Sequence, residues 1–265
     1  MNNPSQNQLT YLKKQQHHRF IVIFSRIAIF IAFLAVWEFS SQLGLIDSFI
    51  FSSPSQVILC FWGMVLDKSI FLHIGVTLYE TFISFILVTL LSILFATLLW
   101  FSKKLLQITE PFLVVLNSLP KSALAPLLIV WLGATPTTII VAGMSVALFG
   151  SILNMTTCFQ EVDSEKIKLI YTLRGNKLQA LTKVVIPSCI PAIVSNMKVN
   201  IGLCLVGVII GEFLAARNGL GYLIIYSSQV FKLDWLLMSI CILCILAMGL
   251  YALINLVEKL YQKHF

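Results

Sequence analysis

Apolar residues in this chain occur in long continuous stretches, with little alternation between apolar and polar positions. Several stretches approach the roughly 20 residues that a helix needs to cross about 30 Å of hydrocarbon. The strand-type alternation that a membrane β-barrel would need is absent from the sequence. We therefore predict an all-α integral membrane protein with six transmembrane helices, at residues 20–39, 77–101, 105–132, 138–159, 191–216 and 236–257.

The predicted third span differs from the others because prolines interrupt it. Pro111, Pro120 and Pro126 fall inside it, and Lys121 follows the second of them. Broken helices at membrane depth are tolerated where they line a cavity or pack inside protein. Pro120, Lys121 and Pro126 are therefore candidates for a translocation path. Lys121 would either contact an anion there or extend to the membrane interface.

Composition supports the membrane assignment and excludes a soluble globule. Of the 265 residues, 58% are hydrophobic and 11% are charged, whereas soluble domains carry roughly 25% charged residues. We divide the chain into an N-terminal cytoplasmic tail (1–19), a transmembrane domain (20–257) that includes a polar loop at about 160–190, and a short C-terminal tail (258–265). The basic N-terminus predicts a retained tail and not a cleaved signal peptide.

The distribution of lysine and arginine predicts the orientation, because short cytoplasmic loops collect these residues. With six spans, one side of the membrane carries only Lys68, Arg217 and Lys232. Both termini and the 160–190 loop are thus predicted to be cytoplasmic. The net charge of +7 follows from this bias and does not indicate a nucleic-acid partner. The side predicted to be cytoplasmic carries Lys13, Lys14, Arg19, Arg26, Lys103, Lys104, Lys166, Lys168, Arg174, Lys177, Lys183, Lys198, Lys259 and Lys263.

The titratable residues do not indicate an enzyme, a metal centre or an ion-coupled transporter. Cys241 and Cys244 form a lone C-x-x-C pair, and the four histidines are scattered. We find no histidine cluster and no paired acids at membrane depth. Glu80 is interpreted as an interfacial carboxylate near the start of the second span. We expect neither catalytic residues nor a bound metal or cofactor.

The polar loop is predicted to contain two short amphipathic helices. Asp163 is placed to cap the first helix, and Glu165 lies in its opening turn. Ile167, Ile170 and Tyr171 recur at helical spacing. Gly175 is the predicted left-handed stop.

The second helix of the loop is predicted to start at a capping box formed by Asn176 and Gln179. Its apolar face would contain Leu178 and Leu181, Pro187 would end it, and Pro191 would lie in the first turn of the fifth span. From these residues alone, the helical pair either rests on lipid headgroups or docks on a soluble partner.

Four ordered motifs resemble the permease subunits of bacterial ATP-driven importers, in particular the nitrate/taurine/alkanesulfonate type. The stretches "FIFSSPSQV", "LNSLPKSALAPLLIVWLG" and "GEFLAARNGLGYLI" are similar to segments of that family. The family also has a cytoplasmic motif, E-A-A-x-x-x-G followed nine residues later by I-x-L-P. Here Pro187 matches the final proline and Val184 matches the isoleucine. The family glycine falls on Arg174, and the acidic first position of the motif falls on Lys168, so these two positions depart from the pattern.

The resemblance implies a type I importer permease fold in which the loop is a coupling element. It would dock on a cytoplasmic ABC ATPase dimer through Lys168, Tyr171, Arg174, Gly175, Asn176, Lys177, Leu178 and Pro187. ATP and Mg would bind in that partner, because this chain has no G-x-x-x-x-G-K-[ST] motif. Further implied partners are a second permease copy, giving a homodimer, and an extracytoplasmic substrate-binding protein or lipoprotein. The location would be the bacterial cell membrane.

The resemblance also limits the solute to a small molecule. A sulfonate, taurine or nitrate-like anion is preferred. The alternatives are a thiamine-precursor pyrimidine or a riboflavin-like solute, and a degenerate scaffold that transports nothing. Glu212 would be a gate or path residue, or a structural hydrogen-bond acceptor for the "GLGY" loop. Gly207 and Gly211 are grouped with the path or gate residues and form a G-x-x-x-G pair that would pack against the second copy or within the chain.

Overall fold

The computed structural model describes residues 6–45 and 51–262, and the secondary structure in these ranges is helical, without strands. The all-α prediction is therefore confirmed for the part of the chain that is described. The helices are α1 (Gln6–Gln42), α2 (Pro54–Leu66), α3 (Ser69–Phe101), α4 (Lys103–Ser118), α5 (Lys121–Leu132), α6 (Pro136–Gln160), α7 (Ser164–Thr172), α8 (Lys177–Ala180), a π-helical turn (Leu181–Val185), α9 (Ile186–Ala215), α10 (Leu220–Gln229) and α11 (Leu233–Gln262).

Five of these elements are long and apolar enough to cross a membrane. They are α1 from Phe20 onward, α3, α6, α11 and the helix that runs through α8, the π turn and α9 as Lys177–Ala215. The pair α4 and α5 is bent by 96° and becomes a sixth span if it is counted as one. The six predicted spans agree with this count. Of the three prolines in the third span, Pro120 marks the break, whereas Pro111 and Pro126 lie inside helices.

The centre of the bundle is formed by α3, α6 and α9, which pack against one another. Small residues allow α6 and α9 to approach closely. An added Cβ at Gly207 would lie 2.8 Å from Gly143 Cα, and one at Gly211 would lie 3.0 Å from Ile139 Cα. Of the two predicted uses of this G-x-x-x-G face, the structure shows packing within the chain.

Helix α1 lies at the edge of this bundle. Its apolar window from Phe20 to Gln42 contains no buried residue. A contact near its C-terminal end joins it to α2, where Glu38 accepts hydrogen bonds from Ser55 N (3.1 Å) and Ser55 Oγ (2.8 Å). Residues 6–19 of the segment predicted as a tail are helical and continue directly into the first span.

Lys198 of α9 and Glu258 of α11 form an ion pair inside the bundle. The two side chains are 16% and 20% exposed. The Lys198 ammonium also donates a hydrogen bond to Asn255 Oδ1 at 3.2 Å and lies 5.9 Å from the centre of the Tyr251 ring. This polar cluster fixes the rotation of α11 against α9.

Lys198→Met should reduce the free energy of unfolding by about 3 kcal/mol, because it leaves Glu258 charged and without its partner. The double variant Lys198→Met with Glu258→Leu removes both charges and should recover most of that loss. Thermal unfolding of the purified protein in nanodiscs measures both effects. The variant Glu258→Leu alone is measured as well. If the loss of stability in the double variant equalled the sum of the losses in the two single variants, the two charges would not interact.

Candidate functional site

The end of the bundle that carries most of the basic residues, here named the basic end, includes α7, α8 and the π turn. Asp163 caps α7 by accepting a hydrogen bond from Glu165 N at 2.8 Å. At the start of α8, Asn176 Oδ1 accepts from Gln179 N at 2.8 Å, and Asn176 N donates to Gln179 Oε1 at 2.9 Å. The predicted cap and capping box are both confirmed.

The turn between α7 and α8 differs from the prediction at Gly175. The left-handed residue is Arg174, with a φ of 60°, and Gly175 has no positive φ. Arg174 N donates to Tyr171 O at 3.0 Å and Gly175 N donates to Ile170 O at 2.8 Å, which is the Schellman pattern. Gly175 is instead required by close approach, because an added Cβ would lie 2.8 Å from Ile170 O. Arg174, aligned with the family glycine, thus occupies the position where glycine is favoured.

The predictions for Pro187 and Pro191 are wrong. Pro187 does not end a helix; it lies in the first turn of α9, and Pro191 lies inside α9. The π turn at Leu181–Val185 precedes Pro187, and in it Ile186 N bonds to Leu181 O. We attribute the continuity to this wider turn, which gives the proline ring space that a regular α-turn denies it. The second helix of the loop and the fifth span are consequently one continuous helix, Lys177–Ala215.

Lys177 anchors α8 to the end of α3. Its ammonium donates a hydrogen bond to Phe101 O at 2.6 Å and lies 5.5 Å from the Trp100 ring and 5.6 Å from the Phe101 ring. A cation is favourable at this position because the C-terminal carbonyls of a helix carry partial negative charge. Lys177 therefore holds the segment in place.

The surface of the basic end exposes large apolar side chains beside basic ones. Most of the predicted coupling residues lie on it: Lys168, Tyr171, Arg174, Asn176, Leu178 and Pro187 are exposed, and Gly175 is partly buried. Two neighbours that were not predicted from the sequence, Leu169 and Leu173, are 59% and 72% exposed. The coupling surface, as we name it, comprises Lys168, Leu169, Tyr171, Leu173, Arg174 and Leu178.

At the opposite end of the bundle, the far end, Glu212 holds the segment of residues 219–222, here named the GLGY segment. Glu212 is fully buried. Its Oε1 accepts a hydrogen bond from Thr77 Oγ1 at 2.7 Å, and its Oε2 accepts from Gly221 N at 2.5 Å. Glu212 thus makes the contacts expected of a structural acceptor for this segment.

The glycines of the GLGY segment are required by the position of Glu212. Gly219 has a φ of 122°, and an added Cβ there would lie 2.5 Å from both carboxylate oxygens. An added Cβ at Gly221 would lie 2.8 Å from Glu212 Oε2. Thr77 Oγ1 accepts from Leu220 N at 2.9 Å, and Gly219 N donates to His73 Nδ1 at 3.0 Å. The segment is therefore bonded to both α3 and α9.

Glu80 contradicts its interpretation as an interfacial carboxylate. Helix α3 begins at Ser69, so Glu80 lies well inside it and is only 2% exposed. It neighbours Glu212, because Thr77, one turn earlier on the same buried face of α3, donates to Glu212 Oε1 at 2.7 Å. The expectation that no paired acids occur at depth is therefore wrong. The polar positions Thr77, Glu80, Thr81 and Ser84 share helical spacing, a signal that could have placed Glu80 on the buried face.

The break between α4 and α5 positions Lys121. Its ammonium donates a hydrogen bond to Leu116 O at 2.5 Å and lies 5.3 Å from the centre of the Phe149 ring. Leu116 belongs to the last turn of α4, whose carbonyls lack partners within the helix. Lys121 therefore caps α4, and Pro120 precedes the sharp change of direction.

Potential metal ligands do not cluster in the ranges 6–45 and 51–262. No group of three or more histidine, cysteine, aspartate or glutamate side chains comes together there. Cys241 and Cys244 are both exposed on α11.

Comparisons with known proteins agree on one family. Residues 88–265 match the family model described as "Binding-protein-dependent transport system inner membrane component". The chain is 24% identical over 230 residues to the putative aliphatic sulfonates transport permease protein SsuC of Bacillus subtilis, covering 87% of this chain and 83% of that protein. It is 26% identical over 230 residues to the riboflavin transport system permease protein RibX of Chloroflexus aurantiacus, covering 87% and 86%.

A solved structure shares the fold. The inward-facing MetNI methionine ABC transporter matches with a TM-score of 0.60 at 15% identity, covering 76% of this chain and 96% of the matched chain. At this identity, the likeness concerns the arrangement of helices.

Proposed function

The chain belongs to the family of binding-protein-dependent transport system inner membrane components, the permease subunits of ABC importers, and from this premise we propose that it passes a small solute across the bacterial cell membrane with energy from a separate ATPase. The positive-inside rule supports a cytoplasmic location for the basic end and both termini. The far end would then face the extracytoplasmic substrate-binding protein.

The coupling surface is the observation that carries this proposal. Leu169, Tyr171, Leu173 and Leu178 are 45% to 72% exposed on two short helices outside the central bundle. Exposed apolar groups on a short, rigidly held segment are typical of a docking site for another protein. The segment is rigid because Lys177, the capping box and the Schellman turn fix it. The partner that fits is a cytoplasmic ABC ATPase dimer, which would bind ATP and Mg.

A second permease copy would complete the path, and we propose a homodimer. The G-x-x-x-G face is already used within the chain, so this contact would have to use other residues. Path residues in this arrangement would include Pro120 and Pro126 near the break in the third span, where the helix changes direction.

For the solute, we propose a small anion of the sulfonate, taurine or nitrate class. The similarity to an aliphatic sulfonates permease supports it. The similarity to a riboflavin permease supports the alternative of a riboflavin-like solute, and a thiamine-precursor pyrimidine is the other alternative.

Reconstitution of the permease with its ATPase and binding protein in liposomes tests the function. We expect ATP-dependent uptake of an alkanesulfonate or taurine that excess riboflavin does not inhibit. Uptake of riboflavin or a pyrimidine, without uptake of a sulfonate or taurine, would make the alternative solute class the preferred one. A complex that binds and hydrolyses ATP but transports none of these solutes would favour the scaffold alternative.

Lys121 provides a test of whether a fixed positive charge selects the anion. Because its ammonium is committed to Leu116 O, we expect Lys121→Met to cost about 1.5–3 kcal/mol of stability and to reduce sulfonate and neutral-solute uptake equally. Uptake is measured in the liposome assay with radiolabelled solutes, normalised to folded protein. A loss confined to the sulfonate would contradict this expectation and assign an anion contact to Lys121.

A further inference from the structure

Glu80 and Glu212 form a buried acidic pair that the transport function does not explain. Both side chains are at least 98% buried, and Glu80 lies on the buried face of α3 one turn from Thr77, whose hydroxyl donates to Glu212 Oε1 at 2.7 Å. Glu80 Oε2 has no hydrogen-bond partner among the described residues. Two neighbouring carboxylates without a proton or cation between them would repel strongly in a buried environment. Something must therefore neutralise one of them.

Among the residues that the structure describes, the side chains of the neighbouring helices do not supply a cation. Helix α6, which packs on both α3 and α9, carries no acidic, basic or histidine side chain. The only cation on α9, Lys198, is paired with Glu258 about 20 Å further along the helix. Arg217 precedes the GLGY segment and is exposed.

The remaining titratable groups near the pair are already engaged elsewhere. His73 Nδ1 accepts the hydrogen bond from Gly219 N. Tyr222 stacks between His73 and Tyr226, with ring-centre separations of 6.3 Å and 5.8 Å. Tyr79 is on α3 and points outward, 61% exposed. None of these groups neutralises the acidic pair.

The hydrogen-bond donors around the pair distinguish its two members. Glu212 receives donors on both oxygens, from Thr77 Oγ1 and Gly221 N. The Thr77 hydroxyl accepts from Leu220 N, so its own proton is committed to Glu212. A carboxylate accepts such donors, whereas a protonated carboxyl has less acceptor capacity. Glu80 has no comparable set of donors.

We propose that Glu80 and Glu212 form a proton-binding site, in which Glu80 holds the proton and donates it in a hydrogen bond to the Glu212 carboxylate. The bound proton keeps the GLGY segment closed against α3 and α9. Loss of the proton places two negative charges side by side, and the segment then opens to admit water. The site needs neither ATPase nor solute, so its test is independent of transport.

Trypsin cleavage after Arg217 reports opening of the segment in the full-length protein in nanodiscs. If opening of the segment releases one proton, the fraction of open molecules should rise about tenfold per pH unit above the pH at which the open form loses that proton. The cleavage rate of wild type should rise by the same factor. Glu80→Gln keeps a donor toward Glu212 but cannot lose a proton. Cleavage of this variant should stay slow over the same pH range. Any change in its rate with pH reports the pH dependence of trypsin itself and is used to correct the wild-type rates.

A second pair of variants tests which carboxyl carries the proton. Infrared difference spectra of wild type at neutral pH should show a protonated carboxyl band that Glu80→Gln removes and Glu212→Gln retains at a shifted frequency. Glu212→Gln should also accelerate cleavage after Arg217, because its amide nitrogen cannot accept from Gly221 N. Thr81→Val, a buried substitution one residue from Glu80, controls for packing and should match wild type.

Three results would overturn the proposal. The first is an equal pH response in wild type and Glu80→Gln. The second is the absence of a protonated carboxyl band from the wild-type spectrum. This result contradicts the proposal even if Glu80→Gln does not fold. The third is a cleavage rate that follows sodium concentration in place of pH, which would identify a metal cation as the neutralising group.

Discussion

Gly207→Ala is expected to destabilise the folded protein by about 3 kcal/mol, the upper end of the cost of overpacking. The added methyl would lie 2.8 Å from Gly143 Cα, 2.8 Å from Val146 Cγ2 and 2.9 Å from Ala142 O. Two of these three atoms belong to the backbone of α6, which cannot move aside as a flexible side chain can. The helices must separate instead, and the contact between α6 and α9 is lost. Size-exclusion chromatography after detergent extraction, followed by thermal unfolding, measures the loss of folded protein.

Gly202 is the matched control for this prediction. It lies on the same helix, and an added Cβ there meets no atom within 4 Å. Gly202→Ala should therefore be neutral or slightly stabilising, by up to about 1 kcal/mol from helix propensity. If both variants were equally stable, α6 and α9 would be further apart than described, and the within-chain use of the G-x-x-x-G face would be wrong.

Leu178→Asp is expected to weaken binding of the proposed ATPase partner by about 2 kcal/mol or more, roughly 30-fold, as loss of a central contact does. The side chain is 58% exposed on the coupling surface, so the substitution buries no charge within the permease itself. Folding should be unaffected. Extraction of the tagged protein in mild detergent, followed by mass spectrometry of the co-purified proteins, compares the ATPase yield with that of wild type.

Phe231 provides the control at the far end. It is 68% exposed in the turn between α10 and α11, and its positive φ of 55° is tolerated by aspartate. Phe231→Asp makes a comparable apolar-to-acidic exchange and should retain the ATPase. Equal loss in both variants would point to general instability, and full retention in both would remove Leu178 from the proposed contact.

The spans were predictable from sequence because hydrocarbon thickness sets a minimum helix length that long apolar stretches satisfy. The caps at Asp163 and Asn176 were predictable because they depend only on residues within one turn. Pro187 was not, because the π turn before it depends on Leu181 and Val185 being buried against other helices. Local rules for proline do not include that tertiary packing.

The buried acidic pair shows a different limit of sequence reasoning. Glu80 and Glu212 are 132 positions apart, and each alone is consistent with a position near a helix end. Their proximity depends on the relative translation of α3 and α9, which no single segment encodes. The clearest local signal was the polar spacing of Thr77, Glu80, Thr81 and Ser84 on an otherwise apolar helix, which indicates a face buried in protein and not exposed to lipid.

The continuity of the helix from Lys177 to Ala215 makes it a lever. It contains 39 residues and is about 58 Å long. Its close crossing with α6 at Gly207 is a natural pivot, which leaves arms of about 45 Å toward the basic end and about 12 Å toward the far end. If the helix tilted about this pivot, its far end would move roughly one quarter as far as its basic end. The force at the far end would be correspondingly larger. Glu212 lies only about 8 Å from the pivot, so a movement of about 6 Å at the proposed ATPase contact would shift Glu212 by about one ångström, enough to weaken its hydrogen bonds to the GLGY segment.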